Sequence, residues 1–138
     1  MDNSRSILKV MNQFGVSYRY AAPEVFGWIE RTASSSLTDF QRADSFSFGI
    51  TVWELLQRQA PWEETPNFDD VKAKVTSGLR PEITFPFEKD PKLVMFKQLI
   101  EYCWNQTPTT RPNFQDIEKQ LDLFMSQMVG SSDIEVQL

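Results

Sequence analysis

"DSFSFGITVWELLQRQ", residues 44–59, carries apolar side chains at Phe46, Phe48, Ile50, Val52, Trp53, Leu55 and Leu56. At 3.6 residues per turn these fall on nearly every face, and a helix that is apolar all round belongs in an interior. Asp44 stands where a short carboxylate accepts a backbone N–H two or three residues on, so it is expected to cap the helix and contribute about 1 kcal/mol. The chain is therefore expected to be built around a buried central helix at about 44–58.

Working outward, GWIERTASSSLTDFQ, 27–41, contains a Ser/Thr cluster that marks a loop. Ser34 to Ser36 read either as a solvated loop or as phosphate acceptors. On the other side APWEETP, 60–66, is a proline-bounded turn, and NFDDVKAKVTSG, 67–78, is a polar helix stopped by Gly78. Pro81, Pro86 and Pro91 keep 78–91 irregular. KLVMFKQLIEYCW, 92–104, places Leu93, Phe96, Leu99, Ile100 and Cys103 at three-and-four spacing, which predicts an amphipathic helix. After the turn NQTPTTRP, residues 113–128 repeat the pattern through Phe114, Ile117, Leu121, Phe124, Met125 and Met128. No strand pattern and no internal repeat appears. Trp53, Trp62 and Trp104 are expected to anchor the core. Cys103 reads as a small buried hydrophobe, because no cation beside it in the sequence would favour its thiolate.

Composition narrows the chemistry. The 138 residues suffice for one domain with its own core, and 41% hydrophobic against 24% charged residues is the balance of a folded protein. The net charge is −5 with scattered basic residues, which offers no footprint for nucleic acid or anionic lipid. A single cysteine closes no internal disulfide, and no apolar run reaches the about 20 residues of a membrane helix. Residues 1–14 lack the apolar stretch and cleavage site of a secretory signal. An intracellular, cytoplasmic setting is expected. The absence of histidine removes Ser-His and Cys-His pairs, His-ligated metals and an imidazole base. One cysteine likewise leaves no structural zinc site.

Three phrases occur in order: Ala22-Pro23-Glu24 within YRYAAPEVF, ADSFSFG from Ala43 to Gly49, and CWNQTPTTRP from Cys103 to Pro112. In order and spacing they resemble the latter half of a protein kinase catalytic domain, closest to the tyrosine-kinase-like group of serine/threonine-type kinases. The resemblance covers about 16–128 and implies a mainly α fold: a partial kinase C-terminal lobe, from the end of the activation segment through the last helix, with no N-terminal lobe. Residues 1–15 then read as a remnant or atypical segment and 129–138 as a flexible tail.

The resemblance also assigns roles. Glu24 is expected to pair with Arg111, 87 positions on, tying the activation-segment end to the loop before the final helix. Ser17, Tyr18, Arg19 and Tyr20 correspond to the loop that docks the substrate segment; Ala22, Pro23, Asp44 and Gly49 belong to the structural motifs. Ser17, where serine/threonine-type kinases usually carry threonine, points away from tyrosine specificity, while Val16 and Ala21 depart from the usual residues. In kinases Asp44 also holds the catalytic loop, so capping is the role left to it here. The family uses ATP and magnesium through a Gly-rich loop, a strand lysine, an HRDxxxxN loop and a DFG aspartate. None of these occurs in this sequence; Gln13-Phe14-Gly15 lacks the aspartate. The chain alone is expected to bind no cofactor or metal and to have no catalytic residue. Two readings follow: a piece of a kinase that phosphorylates proteins, or a non-catalytic, pseudokinase-like module that binds a partner protein. In either, part of the central helix is expected to lack cover.

Overall fold

The computed structural model describes residues 17–30 and 36–131, with no side-chain detail at 29, 30 and 128–131. Residues 1–15, expected as a remnant or atypical segment, with Gln13-Phe14-Gly15 among them, Val16, Ser34, Ser35 and the residues beyond 131 lie outside the described residues. Five helices carry the fold: α1 (Pro23–Glu30), α2 (Leu37–Gln57), α3 (Phe68–Thr76), α4 (Pro91–Cys103) and α5 (Phe114–Ser131). Single 3-10 turns stand at Tyr18–Tyr20, Phe87–Lys89 and Pro108–Thr110, and no strand occurs among the described residues. The chain is mainly α.

The start of α2 differs from the sequence expectation. Ser36, not Asp44, is the N-cap: its hydroxyl accepts from the Asp39 N–H at 3.2 Å, and the Asp39 carboxylate accepts from the Ser36 N–H at 2.9 Å. This reciprocal box satisfies two N-terminal donors, and 37–43, free of glycine and proline, carries the helix through to Asp44. Asp44 lies exposed in mid-helix. The loop expected over 27–41 is helical at 27–30 and 37–41.

α2 packs most extensively on α4, and Gly49 sets how closely they approach. A Cβ at Gly49 would stand 2.8 Å from the Cys103 Cβ, nearer than packed carbons sit, and in tight contact at 3.3 Å with the Ile100 carbonyl. The main core gathers Phe26, Phe46, Ile50, Trp53, Trp62, Phe68, Val71, Val75 and Trp104. A second cluster, Leu99, Cys103, Ile117 and Phe124, joins α4 to α5. The three expected tryptophan anchors are buried. Burial pushes the Cys103 thiol up to about 12, which leaves it a protonated, inert hydrophobe at neutral pH.

The central helix is not buried on every side. Leu55 is 71% exposed and Phe40 50%. On α5, Phe114 and Met125, both expected inside, are 45% and 60% exposed. Among the described residues α5 packs chiefly on α4, with Phe48 of α2 beside it, and its buried stripe is narrower than its sequence pattern.

Helix ends follow local chemistry. Asn67 caps α3 by accepting from the Asp70 N–H at 2.9 Å, and Gly78 ends that region with φ +98°, a left-handed conformation that suits glycine. Trp62 is different: it holds φ +60° immediately after Pro61. Proline followed by a positive φ is the combination of a type II turn, where glycine is the ordinary choice. A tryptophan there costs about 1–2 kcal/mol, offset by an indole only 4% exposed.

Candidate functional site

The short turn Tyr18–Tyr20 leads straight into α1, which begins at Pro23, a residue suited to the first helical position. Ser17 at its head is exposed, and the backbone of Ala21 and Ala22 behind it is buried. The turn's side chains are engaged with the body of the protein. Tyr20 donates its hydroxyl to the Glu54 carboxylate, 2.9 Å from both oxygens, and the Ser47 hydroxyl donates to the Tyr20 carbonyl at 2.9 Å. Burial first, and the Glu54 carboxylate second, raise the Tyr20 pKa above its ordinary 10.0. Arg19 donates to the Trp62 carbonyl at 2.5 Å, the Thr65 carbonyl at 3.2 Å and the Pro61 carbonyl at 3.5 Å. The ring of Tyr18 stands edge-on to Phe68 with centroids 5.2 Å apart.

Behind the turn, the structure brings Glu24 and Arg111 together. Arg111 Nη1 and Nη2 donate to Glu24 Oε2 and Oε1 at 2.6 and 2.9 Å, the parallel fork in which guanidinium matches carboxylate. The Arg111 side chain is 0% exposed and that of Glu24 18%. The remaining donors reach the carbonyls of Asn105 at 2.7 Å, Arg42 at 3.1 Å and Gln106 at 3.5 Å. All five N–H groups of a guanidinium are thereby used. Among the described residues no buried side-chain nitrogen or oxygen lacks a partner.

Several contributors to this arrangement escape a linear reading. Arg80 donates to the Trp104 carbonyl at 2.8 Å and to Gln106 Oε1 at 2.6 Å. The centre of the Phe46 ring stands 4.8 and 5.1 Å from the guanidinium carbons of Arg80 and Arg111. Burial, and then the neighbouring Arg111 charge, lower the Arg80 pKa to about 10, and Glu24 opposes the shift. Arg42 donates in return to the Arg111 carbonyl, and the buried Ser45 hydroxyl donates to the Pro112 carbonyl at 2.7 Å. One sequence signal pointed to Arg80: Arg80-Pro81 repeats the dipeptide Arg111-Pro112.

What these contacts do is position and hold backbone segments. Among the described residues no three His, Cys, Asp or Glu side chains group where a metal ion could sit. Asp39 serves the α2 cap and Asp44 faces solvent.

A helical body around one central helix, with its first turn held by that helix and the 61–65 turn and Glu24 clamped to the approach to its last helix, has the plan of a protein kinase C-terminal lobe. The profile of the family described as protein tyrosine and serine/threonine kinase matches residues 3–121, and the chain belongs to that family. It is 35% identical over 128 residues to serine/threonine-protein kinase STY17 of Arabidopsis thaliana, covering 88% of this chain and 20% of that protein. With serine/threonine-protein kinase STY46 of the same plant it shares 36% over 121 residues, 83% of this chain and 19% of the relative. With the probable serine/threonine-protein kinase drkC of Dictyostelium discoideum it shares 39% over 82 residues, 59% and 10% respectively. The chain thus spans about a fifth of the length of the two plant kinases. None of the described helices is long and apolar enough to cross a membrane.

Proposed function

We propose that residues 16–128 are the protein-docking half of a kinase domain whose complete form transfers phosphate from ATP to serine or threonine hydroxyls of proteins, with tyrosine left open. The observation that supports this most is the Glu24–Arg111 fork behind the turn at 17–20. A turn whose trailing backbone is buried and clamped offers a protein segment a fixed surface, and fixed geometry is what phosphoryl transfer draws from a protein. Ser17 is the exposed member of that turn, and Tyr18, Arg19 and Tyr20 hold it in place. Ala22, Pro23 and Gly49 serve the same framework, while Asp44 is a surface residue of α2. A protein is the partner this reading calls for, in a cytoplasmic setting where ATP and reduced thiols are found.

By themselves the 138 residues neither bind Mg·ATP nor transfer phosphate, since the sequence contains no histidine for an HRD loop and no DFG aspartate. The exposed apolar side chains Phe40, Leu55, Leu123 and Met125 favour a second reading, a non-catalytic module that binds a partner protein. Calorimetry of the chain with Mg·ATP is expected to give no saturable binding at micromolar concentration; such binding would overturn the inactive reading. The docking role is tested by grafting residues 16–128 in place of the matching segment of STY17. Phosphorylation of a protein substrate by the graft supports the proposal, and a folded graft that autophosphorylates yet ignores protein substrates sinks it.

A further inference from the structure

The turn between α2 and α3 holds the one bulky residue of the described chain that sits at positive φ outside a helix end, Trp62. A β-carbon in that region crowds the following carbonyl, so a strained residue persists only where its surroundings over-determine it. The surroundings are legible here. The indole is buried, the Lys74 ammonium stands 5.7 Å from its ring centre, and the Trp62 carbonyl receives the Thr65 N–H at 3.0 Å. The same carbonyl also receives the Arg19 guanidinium at 2.5 Å, and Arg19 reaches the Thr65 and Pro61 carbonyls as well. A cation bonded to three converging carbonyls offsets the crowding of their negative ends, beside the Thr65 N–H on the Trp62 carbonyl and the Lys74 ammonium, which donates to the Thr65 hydroxyl at 2.8 Å.

We infer that Arg19 is a latch: it holds the 61–65 turn in its strained form and couples that turn to the turn at 17–20. Withdrawal of the guanidinium leaves three carbonyls without their shared cation, and Trp62 relaxes toward negative φ. The motion passes to α3 by two routes. The 61–65 turn runs directly into the Asn67 cap, and Tyr18, next to Arg19, packs edge-on against Phe68, the first residue of α3. Displacement of the docking turn therefore loosens the start of α3, and a rigid α3 start keeps the docking turn in place. Arg19 is a positioning residue in this scheme. That the turn at 17–20 docks a protein segment is taken from the reading above, whereas the latch stands on geometry and its test needs no substrate.

Amide hydrogen exchange on the full chain separates a latch from a general stabiliser. Arg19→Met keeps the length of the side chain and removes its donors. The Thr65 amide, bonded to the Trp62 carbonyl, and the Val71 amide, bonded to the Asn67 carbonyl at 3.2 Å, are expected to exchange at least about tenfold faster. The slowest amides of α2 and α4 are expected to keep their rates. Arg19→Lys preserves the charge but places one compact ammonium where a fork spanned three acceptors, so it should accelerate Thr65 and Val71 by a smaller factor. Unchanged Thr65 protection in either variant would overturn the latch. Equal acceleration throughout α2 and α4 would do the same, because it would show Arg19 to be a stabiliser of the whole fold. If Arg19→Met does not fold, the lysine variant alone decides by the same two criteria.

Discussion

Glu24–Arg111 and Lys97–Glu101 are the same chemistry in opposite surroundings. The first joins residues 87 positions apart, with the arginine side chain wholly buried and all its donors used. The second spans one helical turn of α4, with side chains 29% and 48% exposed. Water competes for the exposed pair at every moment and competes for the buried one scarcely at all. The buried pair therefore has little net worth against an apolar replacement but a large cost if half of it is removed, because the remaining charge has lost both water and partner. The exposed pair loses little when either member goes. Between these extremes stands Tyr20–Glu54, a half-buried hydrogen bond between the turn at 18–20 and the central helix.

The largest expected effect is at the buried pair. Arg111→Ala is expected to destabilise the fold by about 3–5 kcal/mol, measured by urea unfolding. Glu24→Ala should cost a comparable amount, since it strands the wholly buried Arg111 charge with three carbonyl partners and no carboxylate. The double variant should cost well under the sum of the two, the mark of groups that act on each other. Strict additivity would break the comparison at its root.

Tyr20→Phe should cost about 1 kcal/mol, the worth of one hydrogen bond to a partly wet carboxylate. It also has a pH signature. The Tyr20 pKa is raised in the fold, chiefly by burial, so the folded state prefers the phenol protonated. The resulting stabilisation is present in full below pH 10.0, the unfolded value, and is lost as the pH rises through the higher folded value. Wild type should therefore lose stability above pH 10.0 more steeply than Tyr20→Phe. Parallel alkaline limbs would show that the Tyr20 phenol is not what titrates there.

The smallest effect belongs to the exposed pair. Lys97→Ala should change stability by no more than about 0.5 kcal/mol, less in high salt. Since Lys97 also stands 5.0 Å from the Phe87 ring centre, a loss that persists in high salt would locate its contribution in that ring contact rather than in Glu101.

How far the fold could be read ahead depends on whether its causes are local. The density of apolar residues at 46–56 announced the central helix, and three-and-four spacing announced α4, because both signals lie within a few turns of chain. The beginning of that helix was missed because a Ser/Thr cluster reads as a loop wherever it occurs. Whether one serine of the cluster caps a helix depends on which backbone N–H it meets, and Ser36 meets that of Asp39. Apolar pattern likewise fixed which residues could be buried, not which are. Phe114 and Phe124 look alike in the sequence, yet one is 45% exposed and the other 7%, since only neighbouring helices supply cover.

The candidate site divides along the same line. The ends of the long ion pair were legible through a resemblance carried by Ala22-Pro23-Glu24 and by the arginine before Pro112. The Arg80 and Arg42 contacts, the Phe46 ring shared by two guanidiniums and the grip of Arg19 on three carbonyls were not. Those partners lie 24 to 69 positions apart, and a carbonyl carries no side-chain identity for a sequence to display. The sequence by itself determined the kinase family, the helical class and the short inventory of chemistry, because these rest on residue types and local periodicity. Tertiary structure alone decided which charges are buried, which turn is strained and what holds it, because burial and strain arise where distant segments take away each other's water.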